Sequence, residues 1–364
     1  MKASLLRPGE LGASEVATWH KLQASAPDLA NPFCSPTFAR AVDAVDRRTR
    51  VAVVEEDGAI VAFVPMTVRR GGIATGLAAR LAGIEAVVQA PGRPLDLAAV
   101  LARCGLAAIE FEHLRAGERS TAAGLRVLAG HAVDVSGGYD AYLERATLEH
   151  AHALREAERR RSRLAEHHGA AVFRGGIRDP TALALLVRWK SAQYRRSGWP
   201  DPLARRWVVE LVELLAATGE LDLSGRLSTL SAGDTVIAVD FSLCSDAVLA
   251  TWFNAYDPAF GRYSPGTLRW YHVIEDAAAL GLREVDLGPG DEPYKATLAT
   301  TRYDVFAGAV ERRCLEALVR RAWRAPRQAA TGYVLAHPRV RAGVRRTLRG
   351  VGRLRSRSGA SGRR

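Results

Sequence analysis

The stretch Tyr256–Lys295 reads YDPAFGRYSPGTLRWYHVIEDAAALGLREVDLGPGDEPYK. A strand ends where it begins, a Ser264-Pro265-Gly266 turn opens an amphipathic helix, and the helix stops at Gly281. A short strand, REVDL, follows, and a Gly-Pro-Gly-acid loop then delivers Tyr294 and Lys295. Proline suits the first helical position because its missing N–H would find no partner there, and glycine next to it lets a ligand approach the helix start. A polar loop just past a strand presents ionisable groups. The combination predicts a site for a small anionic ligand.

Upstream of this stretch, alternating apolar residues and turn signals predict a three-strand antiparallel meander: RLSTLS, then TVIAVDFSLC, then AVLATWFNAY. Before it, helical spacing predicts a long charged helix over 141–167 ending at Gly169, a strand AAVFRGG, and helices over 180–196 and 203–217. A last strand is predicted near 302–311. The first half reads as a shortened version of the second. It has a helix over 36–46, a hairpin turning at Asp57-Gly58, an irregular glycine-rich segment over 71–94, a short helix over 95–103, and strands at 107–114 and 130–136. The Gly137-Gly138 break divides the chain into an N-terminal domain, 1–136, a C-terminal domain, 137–314, and a basic tail, 315–364.

The charge of +12 belongs to one end. From Arg312 to Arg364 there are 16 arginines against the single acid Glu316, a local charge of +15, so the preceding 311 residues carry −3. A pI near 10.0 is therefore no argument for a nucleic-acid-binding body. The N-terminus lacks the apolar core of a signal peptide, and no apolar run reaches the ~20 residues of a membrane span. Four scattered cysteines without a C-x-x-C pair fit reduced thiols and a cytoplasmic location. The histidines at 150, 152, 167 and 168 lie on a charged helix without ligand-spaced partners, so no metal is expected.

The meander followed by a glycine-opened helix and another strand resembles the acyl-CoA-binding core of the GNAT acyltransferases. More narrowly, FNAYDPAFGRYSPGTLRW and REVDLGPGDEPYK resemble the CelD-type acetyltransferases of exopolysaccharide and cellulose synthesis, relatives of the FemAB peptidyltransferases. NPFCSPTFARA and AFVPM resemble the N-terminal half of the same family. The resemblance covers roughly 30–312 and implies an α+β fold of two tandem GNAT-like domains, with mixed sheets flanked by helices. It also implies an acyl donor, acetyl-CoA or another acyl-CoA, and an acceptor amine or hydroxyl on a sugar, polysaccharide or envelope precursor. One departure stands out: where most GNAT enzymes grip pyrophosphate with an Arg/Gln-x-x-Gly-x-Gly/Ala loop, this chain has Arg262-Tyr263-Ser264-Pro265-Gly266-Thr267, with a single glycine.

Candidate residues follow. Tyr263, Ser264, Gly266, Thr267 and Leu268 form the donor-binding turn, with the amides of Gly266, Thr267 and Leu268 expected to face phosphate. The resemblance gives Lys295 a role on substrate phosphate or carbonyl. Asp286, opposite in direction to Val285 and Leu287, serves as base, orients Lys295, or caps the Gly288-Pro289-Gly290 turn. Tyr256, at a strand end, is a candidate to protonate the leaving thiolate. Lys190, Tyr194, Asp291 and Tyr294 are candidates for acceptor binding, and Asp240 is an acid inside an apolar strand. No cysteine or serine is set up as a covalent nucleophile, which implies direct attack in a ternary complex. Two other readings stand beside this one: an aminoacyl-tRNA donor, with basic helix and tail on RNA phosphates, and a non-catalytic protein recruited through its tail. The tail, with Leu315, Leu318, Val319 and Trp323 on one helical face, is read as a contact for anionic membrane or nucleic acid, or as a solubilising extension.

Overall fold

The computed structural model describes residues 1–115 and 124–312, and the expected tail lies outside them. The helices are α1 (Ala13–Ala24), α2 (Pro36–Val45), α3 (Leu97–Arg103), α4 (Gly138–His168), α5 (Pro180–Ser197), α6 (Arg206–Ala217), α7 (Pro265–Ala279) and α8 (Pro293–Leu298). The strands of the first half are β1 (Lys2–Leu6), β2 (Thr49–Glu56), β3 (Ala59–Arg69), β4 (Ile73–Thr75), β5 (Glu85–Ala86), β6 (Val88–Gln89), β7 (Ala108–Arg115) and β8 (Arg126–Asp134). Those of the second are β9 (Ala171–Ile177), β10 (Ser224–Ala232), β11 (Thr235–Cys244), β12 (Val248–Tyr256), β13 (Glu284–Pro289) and β14 (Thr301–Glu311).

All fourteen belong to one mixed sheet of order β1-β2-β3-β4-β7-β14-β8-β13-β12-β11-β10-β9, with β5 on β7 and β6 on β3. The expected α+β architecture is present, and the two halves interlock within it. β8 precedes Gly137-Gly138 yet pairs with β13, and β14 returns to lie between β7 and β8. The meander β10–β11–β12 is antiparallel throughout. Helices α2, α5 and α6 cover one face, where Phe38, Leu186, Val212, Phe241 and Phe253 share a core, and α4 and α7 cover the other. Trp252 sits edge-on to Phe33 at 5.5 Å and to Phe38 at 6.3 Å, so residues of both halves fill one interior.

Local chemistry explains the boundaries. Asp57 and Gly58 both take positive φ, 51° and 81°, as a two-residue hairpin turn demands. The Asp179 carboxylate accepts from the Thr181 amide at 2.8 Å, Pro180 opens α5, and Gly198 closes it in the left-handed conformation. α4 ends at Gly169 and is interrupted at His150, whose φ of −137° breaks the helix into two segments.

Three features differ from the sequence reading. β1 and α1 precede the first expected element. The segment 71–94 holds β4, β5 and β6, each of two or three residues, too short for alternation to show but held by pairing to β3 and β7. The loop carrying Tyr294 and Lys295 closes into α8, opened by Pro293. Among the described residues no helix is long and apolar enough to cross a membrane.

Candidate functional site

The site begins where two parallel strands part. β12 and β13 pair only from Val248↔Glu284 to Ala250↔Asp286, although β12 continues to Tyr256 and β13 to Pro289. Each strand is deflected at that point. β12 bulges against β11 at Trp252, between the Thr251↔Ser242 and Phe253↔Phe241 pairs, and β13 bulges against β8 at Leu287, between Asp286 and Gly288. A bulge bends its strand, so two bulges side by side open a wedge. The Thr251 hydroxyl donates to the Asp286 carbonyl at 2.9 Å and closes its apex. Past it, among the described residues, no strand pairs with the edge of β12 that faces β13.

β12 leads into α7 through a 3-10 turn, Pro258–Tyr263, and Ser264 in the left-handed conformation (φ 52°, ψ 55°). The expected three free amides reduce to one. The Thr267 and Leu268 amides donate to the Ser264 carbonyl at 2.9 and 3.2 Å, because Ser264 is the last residue before the helix and its C=O takes the first bonds. Pro265 has no N–H, so Gly266 carries the first-turn donor not bonded to Ser264. A Cβ at Gly266 would lie 3.5 Å from the Tyr256 ring, which places that ring, 43% exposed, beside the helix start.

What the turn lacks in glycines, α4 supplies in charge. A cavity of about 310 Å³ is lined by Glu156, Arg159, Arg160, Arg163, His167, Arg262 and Tyr263. Arg160 donates to the Ser264 hydroxyl, and the Tyr263 hydroxyl bonds His167 Nδ1 at 2.8 Å and also Arg262. Four arginines against one acid, beside the positive end of a helix, give this cavity a positive potential that suits an anion. The sequence reading found the turn with Arg262 and read the basic α4 helix only as a contact for RNA phosphates, without joining the two, because Arg160 and Ser264 lie 104 positions apart.

Deeper in, Arg269 of α7 and Asp240 of β11 form an ion pair, 1% and 2% exposed. Burial raises the Asp240 carboxyl above its usual range, opposed by Arg269 and by the Ser242 hydroxyl, which donates to Oδ2 at 2.6 Å. Arg269 also lies 3.9 Å from the centre of the Trp270 ring, and that ring stacks on Tyr294 at 5.1 Å. Burial raises the Tyr294 phenol, with Glu292 adding to the effect. Lys190 of α5 approaches from the opposite face of the sheet. Its pKa is pushed down to about 8, first by burial and then by Arg269, against the pull of Asp240 and Glu292, and its Nζ lies 5.4 Å from the Tyr194 ring centre. Burial likewise raises the Tyr194 phenol. Lys295, 4% exposed, donates to the Pro289 carbonyl at 2.6 Å and pairs with Glu292 at 2.9 Å. Asp291 is exposed beside it.

Asp286 stands apart from Lys295. One carboxylate oxygen accepts from the Gly288 amide at 2.8 Å and from the Tyr303 hydroxyl at 2.5 Å, and the other accepts from the Asn31 amide at 2.6 Å. It thus caps the Gly288-Pro289-Gly290 turn while tying β13 to β14 and to the first half, and burial raises its pKa against those bonds. The geometry does not join it to Lys295, one of the roles read from sequence. His131 of β8 escaped that reading. It is 7% exposed, its Nδ1 has no hydrogen-bond partner among the described residues, and burial followed by Lys295 lowers its pKa, which favours a neutral imidazole. Among the described residues no group of histidines, cysteines and carboxylates is arranged to hold a metal ion.

Within this fold, residues 152–296 match the acetyltransferase (GNAT) domain family. FemX is similar in structure, with a TM-score of 0.52 at 9% identity, over 85% of this chain and 96% of that one. A conserved protein of unknown function from Bacteroides thetaiotaomicron gives 0.51 at 13% identity, over 82% and 98%. A tandem GNAT protein from the clavulanic acid biosynthesis pathway gives 0.46 at 13%, over 85% and 98%. At these identities the likeness is one of fold. No curated protein matches the sequence.

Proposed function

We propose that the chain transfers an acetyl or similar acyl group from coenzyme A to an amine or hydroxyl of a sugar, polysaccharide or cell-envelope precursor, as the CelD-type enzymes it resembles do. One observation carries the reading: β12 loses its partner past Ala250 and then runs directly to the basic cavity at the start of α7. An extended, amide-bearing arm joined to a pyrophosphate suits that succession. The arm adds to the free edge of β12 as another strand would, and the phosphates meet Arg160, Arg163, Arg262 and the Gly266 amide.

In this reading the acceptor nitrogen or oxygen attacks the thioester carbonyl and gives up its proton to a base. Negative charge gathers on the carbonyl oxygen, which N–H groups on the free edge of β12 stabilise. The C–S bond then breaks, and Tyr256 returns a proton to the sulfur. Lys295 holds the 289–292 loop against the cleft and adds positive charge there. Direct attack suits the described cysteines, since burial pushes the thiols of Cys34, Cys104 and Cys244 up and disfavours the thiolate a covalent route would need.

Calorimetry with acetyl-CoA tests the donor, and transfer to amino sugars tests turnover. Micromolar binding with release of free thiol supports the reading. Binding of aminoacyl-tRNA in place of acetyl-CoA would change the donor. Binding of acetyl-CoA without turnover on any acceptor would leave a non-catalytic ligand-binding protein.

A further inference from the structure

At the foot of the β12–β13 pair, away from the end where the strands part, a second cavity of about 190 Å³ lies on the seam between the two halves. Asp28, Asn31 and Arg115 line it from the first half, and Arg283 and Glu284 line it from the start of β13. Some of these groups are already committed. The Asp28 carboxylate accepts from Arg115 at 2.7 Å, and the Asn31 side chain serves Asp286 and the Phe33 amide. Others are not. The bond to Asp28 engages one nitrogen of the Arg115 guanidinium, which carries five N–H groups, and Arg283 reaches the Pro27 carbonyl at a long 3.4 Å. Glu284 is half-buried, and among the described residues its carboxylate has neither a hydrogen bond nor an ion pair. Burial and the neighbouring Asp286 raise its pKa, against the pull of Arg115 and Arg283.

A carboxylate and two guanidiniums thus face one cavity without closing on each other. A partly desolvated carboxylate is costly without a partner, and a ligand that carries both charges serves both sides at once. We propose that this seam cavity binds a small zwitterion, a free α-amino acid, with its ammonium on Glu284 and its carboxylate on Arg283 and Arg115. Two cations and two acids around the cavity leave no net charge to hold a lone anion or a lone cation, which favours a neutral, dipolar occupant. At ~30 Å³ per water the volume holds about six waters, which suits alanine or serine and not an aromatic amino acid. The site is separate from the transfer cleft and does not rest on the transferase reading, since roughly 13 Å of β13 separates Glu284 from Gly288. It adjoins the network that fixes the Gly288 turn, because Asn31 and the Tyr303 ring beneath Arg115 both bond Asp286.

Calorimetric titration of the full chain, without acetyl-CoA, tests the assignment. The probes are glycine, L-alanine and L-serine, with propionate and ethylamine carrying the carboxylate alone and the ammonium alone, and L-tryptophan as the oversized zwitterion. At least one of the three small amino acids should bind with a Kd of about 1 mM or below, and at least about tenfold more tightly than propionate, ethylamine or L-tryptophan. The same amino acid should raise the Tm of the wild type as its concentration passes the Kd. Glu284→Gln keeps the shape and removes the partner of the ammonium, so affinity should fall by about tenfold. That variant removes an unpaired, half-buried charge and should fold, as its own Tm checks. Should it fail to fold, Arg283→Gln, at an exposed side chain, decides by the same loss. Absence of binding by all three small amino acids, equal binding of a singly charged analogue or of L-tryptophan, or an affinity unchanged in Glu284→Gln overturns the proposal.

Discussion

At the start of α7 the cations sit at the surface: Arg159 and Arg160 have side chains 53% and 34% exposed, and Arg163 and Arg262 are exposed too. Three residues beyond Gly266 on the same helix, Arg269 is 1% exposed and paired with a carboxylate as deeply buried. One helix thus serves two electrostatic regimes. Exposed charges act in high dielectric, so many are needed, each contributes little, and salt weakens them all. Buried charges act in low dielectric, so each matters and each must be matched. Under the proposed function, the exposed arginines beside α7 attract a donor by number, whereas the buried pair is held by fit.

The sharpest break in that contrast comes from Lys295. It is buried, it holds the Pro289 carbonyl and Glu292, and it lies within electrostatic reach of His113 and His131, so nothing can replace it at a distance. Lys295→Ala should lower kcat/KM by at least about 100-fold, the scale of losing one preorganised donor in a dry site. Circular dichroism should remain that of a folded protein. Unchanged turnover would remove Lys295 from the site and leave the loop without a chemical role.

The donor end predicts a smaller and salt-dependent effect. Arg163→Glu reverses one charge of the cavity beside α7, and acetyl-CoA binding should weaken by about tenfold at low salt. The difference should shrink at high ionic strength, since the charge is exposed. A loss independent of salt would mean that Arg163 contacts phosphate in a water-excluded pocket, which would erase the contrast between the two ends.

This division was only partly legible in the chain. Long elements announced themselves: α4 by its charged periodicity and Gly169, the meander by alternation and its turns, and the start of α7 by Pro265-Gly266. α8 was not readable because PYKATL is under two turns and begins with a proline after a Gly-Pro-Gly-acid stretch, so it resembles a loop. The wedge was not readable because a bulge at Trp252 adds one residue without disturbing the apolar pattern enough to show. The two functional ends depended on contacts distant in sequence. Arg160 reaches Ser264 across 104 positions and Arg269 reaches Asp240 across 29, and a single sequence has no local signal for either. Asp286 was legible as a polar residue opposite its apolar neighbours, yet its partners Asn31 and Tyr303 come from the other half and from the last strand.

Lys190 offers a test of buried charge through stability alone. Its pKa falls to about 8 on folding, from an ordinary value of 10.5, with Tyr194 on its own helix, Asp240 from β11, Arg269 from α7 and Glu292 before α8 as its charged and titratable neighbours. The unfolded chain therefore binds more protons between pH 8 and 10.5, and stability should rise with pH across that window. Below about pH 8 the folded protein carries a desolvated charge at a cost. Lys190→Met keeps the apolar stem and removes the charge, so near pH 7 it should stabilise the protein by roughly 1–3 kcal/mol, read as a higher Tm. The gain should shrink as pH rises through the window.

The smallest expected effect separates ligand approach from folding at a single atom. Gly266 occupies the first turn of α7, and a Cβ there would meet the Tyr256 ring at 3.5 Å, an ordinary contact. Gly266→Ala should therefore fold without strain, and alanine's better helix propensity should add about 0.5 kcal/mol of stability. The same methyl group would stand beside the one first-turn amide left for a phosphate, so acetyl-CoA binding should weaken by about threefold to tenfold. A gain in Tm with a loss of affinity assigns the glycine to ligand access. If both rise together, the amide plays no part, and the arginines of α4 hold the donor end alone.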